Sequence, residues 1–148
     1  MTVRADRDFA PAAWLRSAEQ HAGGARLFAR KRDAAQPRHA CFFAGVAARF
    51  AVRALILALG RETRESDDLA ELIGLLPEEA ASIKTHPSLA ILERYGPEIE
   101  YPDGEIPGLS WADAELASST AEGFVAAIRA ELEKRGIDLT VPGSDGGR

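Results

Sequence analysis

Residues 45–60 read GVAARFAVRALILALG, an apolar run interrupted only by Arg49 and Arg53. The two arginines sit about one helical turn apart, so they emerge on the same side of a helix. Extended outward, the pattern predicts a helix from about Arg38 to Leu59. Ala40, Ala44, Ala47, Ala51, Ala54 and Ala58 form a broad alanine face. Phe42, Phe43, Val46, Phe50 and Leu57 flank it on one side, and Cys41, Val52, Leu55, Ile56 and Leu59 on the other. Small residues on one face let helices approach closely, which places this helix at the centre of the core. Gly60 is the expected residue just past its end. The arginine stripe, shared with Gly45 and Gly60, points away from the alanine face. It is therefore expected to stay outside the monomer core, where unpaired charges would cost several kcal/mol. It would meet water, an acidic patch such as Glu98 and Glu100, another protomer or a phosphate.

The neighbouring stretches are helical too. One helix is predicted from about Pro11 to Lys31, with Trp14, Ala18, His21, Ala22, Ala25 and Phe28 on one face and Arg16, Gly23 and Arg30 opposite. A third is predicted from Asp67 to Leu76, capped by Ser66 or Asp67, with Leu69, Leu72, Ile73 and Leu76 inward. Pro77 and Pro87 can each open a short helix, turning Ile83, Leu89 and Leu92 inward, and Gly96 is expected to close the second. The stretch GPEIEYPDGEIPG reads as a loop. Ser110 and Asp113 resemble a capping box before a long helix. That helix buries Ala114, Ala117, Ala121, Phe124, Ile128 and Leu132 and ends near Gly136. No strand is predicted. The expected fold is an all-α antiparallel bundle of four to five helices over residues 1–136, followed by a tail over 137–148.

Composition narrows the function. The 148 residues suit one domain burying roughly two-thirds of its unfolded surface. A net charge of −5 argues against a general nucleic-acid coat. Arg26, Arg30, Lys31, Arg32 and Arg38 nevertheless cluster between residues 26 and 38. They read either as a phosphate-contacting patch or as cations that suit a helix C-terminus. Cys41 is the only cysteine, which excludes an intrachain disulfide and a thiolate metal site. The N-terminus lacks the apolar core of a signal peptide, and arginines break the apolar runs short of a membrane span. A cytoplasmic location is expected.

The ordered series WLRSAEQ, ACFFAGVAARFAVRALILALG, DDLAELIGLLPEE and RYGPEIEYPDG resembles a HEPN domain over about residues 11–134. The resemblance implies a helical bundle, often dimeric. Such domains are commonly encoded beside small nucleotidyltransferases in prokaryotic toxin–antitoxin pairs. Some members are metal-independent RNases, and others bind nucleotides or act as scaffolds. Polar positions depart from the family pattern. Arg49 stands at the usual acidic position, Phe50 and Arg53 at two lysines, Asp67 at a histidine and Glu100 at an arginine. The apolar frame is kept. By family position, Arg94 and Tyr101 join Arg49 and Arg53 as candidate ligand-binding residues.

The RNase members carry an Arg and a His with four to six residues between them, meeting across a dimer interface. Arg16 with His21 and Arg32 with His39 match that spacing. About one match is expected by chance. On a helix, residues five apart diverge by roughly 140°, which separates Arg16 from His21. Pro37 and a turn separate the second pair. His21 is expected to be a hydrogen-bonded core histidine, and His86 a loop or cap residue. No HExxH, GxSxG, phosphate-loop or dinucleotide motif is present, so neither a metal nor a cofactor is implied. Trp14 fits the core, whereas Trp111 is expected on a loop or another subunit.

The leading expectation is a non-catalytic homodimeric module engaging a nucleotide, RNA or a cognate nucleotidyltransferase. The alternatives are a metal-independent RNase toxin using an Arg–His pair from each protomer, and a purely structural helical dimer.

Overall fold

The structure, a computed structural model, describes residues 10–32, 36–63, 66, 68–96 and 108–140. Proline opens both of the first two long helices, α1 (Pro11–Arg30) and α2 (Pro37–Ala58), where a missing N–H breaks no intrahelical bond. The third long helix is the last in the chain, Trp111–Lys134. Between them lie α3 (Leu69–Gly74), a 3₁₀ turn (Glu78–Ala80), α4 (Ala81–Lys84) and α5 (Leu89–Leu92), so the last helix is α6. No strand occurs among the described residues.

Alanine decides how the long helices meet. Ala18, Ala22 and Ala25 of α1, Ala44, Ala47, Ala51 and Ala54 of α2, and Ala117 and Ala121 of α6 are all buried. Backbones approach closely there, and Leu15, Leu55, Phe124, Ile128 and Leu132 fill the space around them. Ala29, Ala40 and Ala114 pack together with Phe28 and Trp111, so the end of α1 lies beside the starts of α2 and α6. Arg26 pairs with Glu122, and Arg129 with Glu19. These crossed pairs make α1 antiparallel to α6. The chain then returns along α2 from Arg61 to Gly96. Ser66 lies against Arg53 and Tyr95 against Gly45. This return segment fills the place of a fourth bundle helix. Pro77 and Pro87 keep it from being one continuous helix.

Most predicted ends hold. Gly60 and Gly136 follow α2 and α6 with φ of 76° and 75°, a backbone that favours glycine. Ser110 and Asp113 form the capping box of α6. Two ends differ. The cap of α3 is Asp68, whose Oδ1 accepts the Ala70 N–H at 3.1 Å, while Ser66 Oγ accepts the Asp68 N–H one step earlier. Asp67 lies outside the described residues. α5 ends at Leu92, ahead of Gly96, as the chain turns to bring Tyr95 onto α2. The expected tail lies outside the described residues from 141 onward.

Among the described residues, one helix, α2, is long and apolar enough to cross a membrane, with mean hydropathy of 1.8 over its most apolar window. The window is longer than the arginine-broken runs suggest. In this fold 78% of it is buried inside the bundle, as the core helix.

Candidate functional site

Arg49 and Arg53 are both buried, at 5% and 8% exposure, which corrects the expectation that they stay outside the core. Their stripe does face away from the alanines, but the return segment covers that side. Arg49 Nη1 donates to the Tyr95 carbonyl at 3.1 Å, and Arg53 Nη2 donates to the Ser66 carbonyl at 2.6 Å. The Arg53 guanidinium also lies 5.5 Å from the centre of the Trp14 ring, so it joins α1, α2 and the return segment. Burying a charge is tolerable when acceptors meet it, and here backbone carbonyls do so.

Gly45, one turn before Arg49, makes the contact fit. A Cβ built there would lie 2.0 Å from the Tyr95 oxygen. Glycine admits the carbonyl, and Arg49 holds it. Sequence reasoning placed Gly45 in the stripe without seeing this role. The available signal was a helix-interior glycine four residues before a buried-helix arginine.

Beside this clamp, Tyr95 is 2% exposed and Cys41 is fully buried. Burial, helped by the negative charge of Asp113, pushes the Cys41 thiol up to about 12. Such a thiol is a packing group rather than a nucleophile. Burial also raises the Tyr95 hydroxyl, with the Arg94 cation pulling the other way. Hydrogen bonds from the Ser110 N–H and hydroxyl hold the Asp113 carboxyl below its ordinary value. Arg94 itself is exposed at this end of the bundle. Tyr101, Glu98 and Glu100 lie outside the described residues.

The Arg–His pairs are dispersed. His21 Nδ1 bonds the Ser17 carbonyl at 2.8 Å, and its ring packs on Phe43 and Phe50 at 5.2 and 5.3 Å. Arg16 is exposed on the opposite side of α1. Arg32 pairs with Glu115, donates to the Ala29 carbonyl and lies 5.1 Å from the Trp111 ring. His39 Nδ1 instead accepts the Gln36 N–H at 3.0 Å, at the start of α2. His86 Nδ1 accepts the Ser88 N–H at 3.1 Å, with its ring edge-on to Phe124. Among the described residues no three His, Cys, Asp or Glu side chains gather to hold a metal.

The basic cluster is partly spent within the fold, since Arg26 and Arg32 pair with Glu122 and Glu115 of α6. Arg30 and Lys31 are exposed. Trp111 packs with Phe28, Ala29, Ala40 and Ala114 of its own chain.

A family model described as HEPN domain matches residues 12–132. Among solved structures, the crystal structure of an archaeal HEPN homologue matches with a TM-score of 0.64 at 21% identity. The match covers 84% of this chain and 98% of that one, and at such identity the likeness is one of fold. No curated protein matches.

Proposed function

This chain belongs to the HEPN domain family, and from that premise we propose that it is a non-catalytic binding module. It works in the cytoplasm as a homodimer and engages a cognate nucleotidyltransferase of a paired toxin–antitoxin type. Free nucleotide or RNA is the competing ligand. The observation that carries the reading is that neither candidate Arg–His pair comes together within the chain: Arg16 lies on the side of α1 opposite His21, and Arg32 pairs with Glu115 while His39 Nδ1 accepts the Gln36 N–H. The one thiol sits at about 12 and offers no substitute. Arg49 and Arg53 serve binding indirectly, by holding the return segment on α2. Exposed Arg94 is assigned to direct contact with the ligand. Tyr101 keeps the same assignment by family position.

Co-expression with a nucleotidyltransferase encoded beside this chain tests the reading. A complex that survives gel filtration is expected, and Arg94→Ala should weaken it while the bundle still melts cooperatively. Separate elution of the two proteins would contradict the partner assignment.

A further inference from the structure

The hydrophobic core is in two parts. The larger runs through most of the bundle and takes in Leu15, Ala18, Ala22 and Ala25 of α1. The smaller is three buried alanines, Ala29, Ala40 and Ala114, with Phe28 and Trp111 packed against them. The division crosses α1 between Ala25 and Ala29, so the end of that helix belongs to the smaller part. From Arg26 to Arg32 only Ala29 is buried and Phe28 half-buried, while the rest face water, Leu27 at 52% exposure among them. Phe28 supplies the main apolar grip, through ring contacts with Phe43 at 5.1 Å and His39 at 5.6 Å.

α1 is weakest just before this division. Gly23 and Gly24 follow one another in its interior, where glycine is the poorest helix former after proline. Gly24 is required by a close approach, since a Cβ there would lie 2.6 Å from the Phe43 ring. Gly23 is not, because a Cβ there meets no neighbouring atom within 4 Å.

Past the glycines, α1 and α6 stand apart. A groove of about 270 Å³ opens between Arg26 and Arg30 on one side and Glu115, Ser118, Ser119 and Glu122 on the other. Two ion pairs tie the helices here, Arg26 to Glu122 at 3.2 Å and Arg32 to Glu115. Between 43% and 61% of each of these side chains is exposed, so water and salt weaken both pairs.

We infer that the chain from Arg26 to Arg32 is a hinged flap, which swings off α6 about Gly23 and Gly24 while the larger core stays folded. A segment with few buried apolar groups, exposed ion pairs and a weak helical joint opens at lower free energy than the core it adjoins. Closed, the flap holds Arg26 and Arg32 against the chain's own Glu122 and Glu115. Open, it presents them together with Arg30 and Lys31. The two glutamates are thus an autoinhibitory contact on the basic cluster. The flap does not depend on the binding-module reading, and its failure would leave that reading standing.

Native-state hydrogen exchange of the full chain, followed amide by amide by NMR, tests the inference. After correction for intrinsic rates, the Ala29 amide should exchange at least about tenfold faster than those of Ala18 and Ile128. Glu115→Gln with Glu122→Gln, or salt raised to about 500 mM, should speed Ala29 by roughly threefold more. Gly23→Ala should slow it by about fivefold. Gly45→Ala, remote from the flap, should speed Ile128 and leave Ala29 unchanged. Ala29 as well protected as Ala18 and Ile128 would overturn the flap. Indifference of Ala29 to Gly23→Ala and to the charge changes would reduce it to fraying of a helix end and overturn the hinge. Ala29 sped by Gly45→Ala in step with Ile128 would show that this end opens only with the whole bundle, which also contradicts the inference.

Discussion

Gly45 and Arg49 divide one task, since the first leaves room for the Tyr95 carbonyl and the second bonds it. Gly45→Ala would force a backbone oxygen away from α2, at a cost of about 2–3 kcal/mol. Equilibrium urea unfolding should show a lower midpoint with an unchanged slope. A midpoint equal to that of the parent protein would contradict the clamp. Cys41 offers a second residue-scale check. Its thiol should resist a disulfide reagent at pH 8 and react once the chain is unfolded in urea. The linkage follows from the raised pKa. Between the ordinary value of 9.0 and about 12, the unfolded chain loses a proton that the folded chain keeps, so stability falls as pH rises through that window. The raised Tyr95 hydroxyl adds in the same sense above its ordinary 10.0. The direction of the arginine stripe was legible in the sequence, because helix periodicity places side chains relative to one another. What covers the stripe was not legible. That depends on a long-range contact between residues 45 and 95, for which the local pattern carries no information.

At the scale of elements, the caps and seams contribute unequally. Ser110→Ala removes the acceptor for the Asp113 N–H and should cost about 1 kcal/mol, read from thermal unfolding monitored by circular dichroism. The Asp113 carboxylate is held low by the same box, so its contribution is present above the ordinary carboxylate range and fades as pH falls through its depressed value. The α1–α6 ion pairs are exposed on both partners, at 53% and 43% for Arg26 and Glu122. Glu122→Gln should therefore change stability by less than about 1 kcal/mol. Helix limits were largely legible, since Pro11, Gly60, Ser110 and Gly136 are local signals. The start of α3 was not, because Ser66, Asp67 and Asp68 are all good caps and tertiary placement selects Asp68. The end of α5 was missed for a related reason: Gly96 looks like a stop, yet the chain leaves the helix earlier to seat Tyr95.

Across the whole molecule, three alanine-lined helices and a proline-broken return segment account for the HEPN fold, and two arginines, Arg49 and Arg53, are turned inward to hold that segment on α2. The fold class was legible because an alanine face with bulky flanks admits few packings. The candidate site was legible only as a set of residue types. Whether an arginine meets a histidine is decided by turns between elements, and here the turns send Arg32 to Glu115 and His39 to Gln36. The central claim is that this bundle binds and does not cut. The most direct measurement incubates the purified chain with RNA in excess chelator and follows the length of the RNA. The account predicts intact RNA for the parent chain and for His21→Ala and His39→Ala alike. Cleavage by the parent chain that disappears in either variant would contradict it.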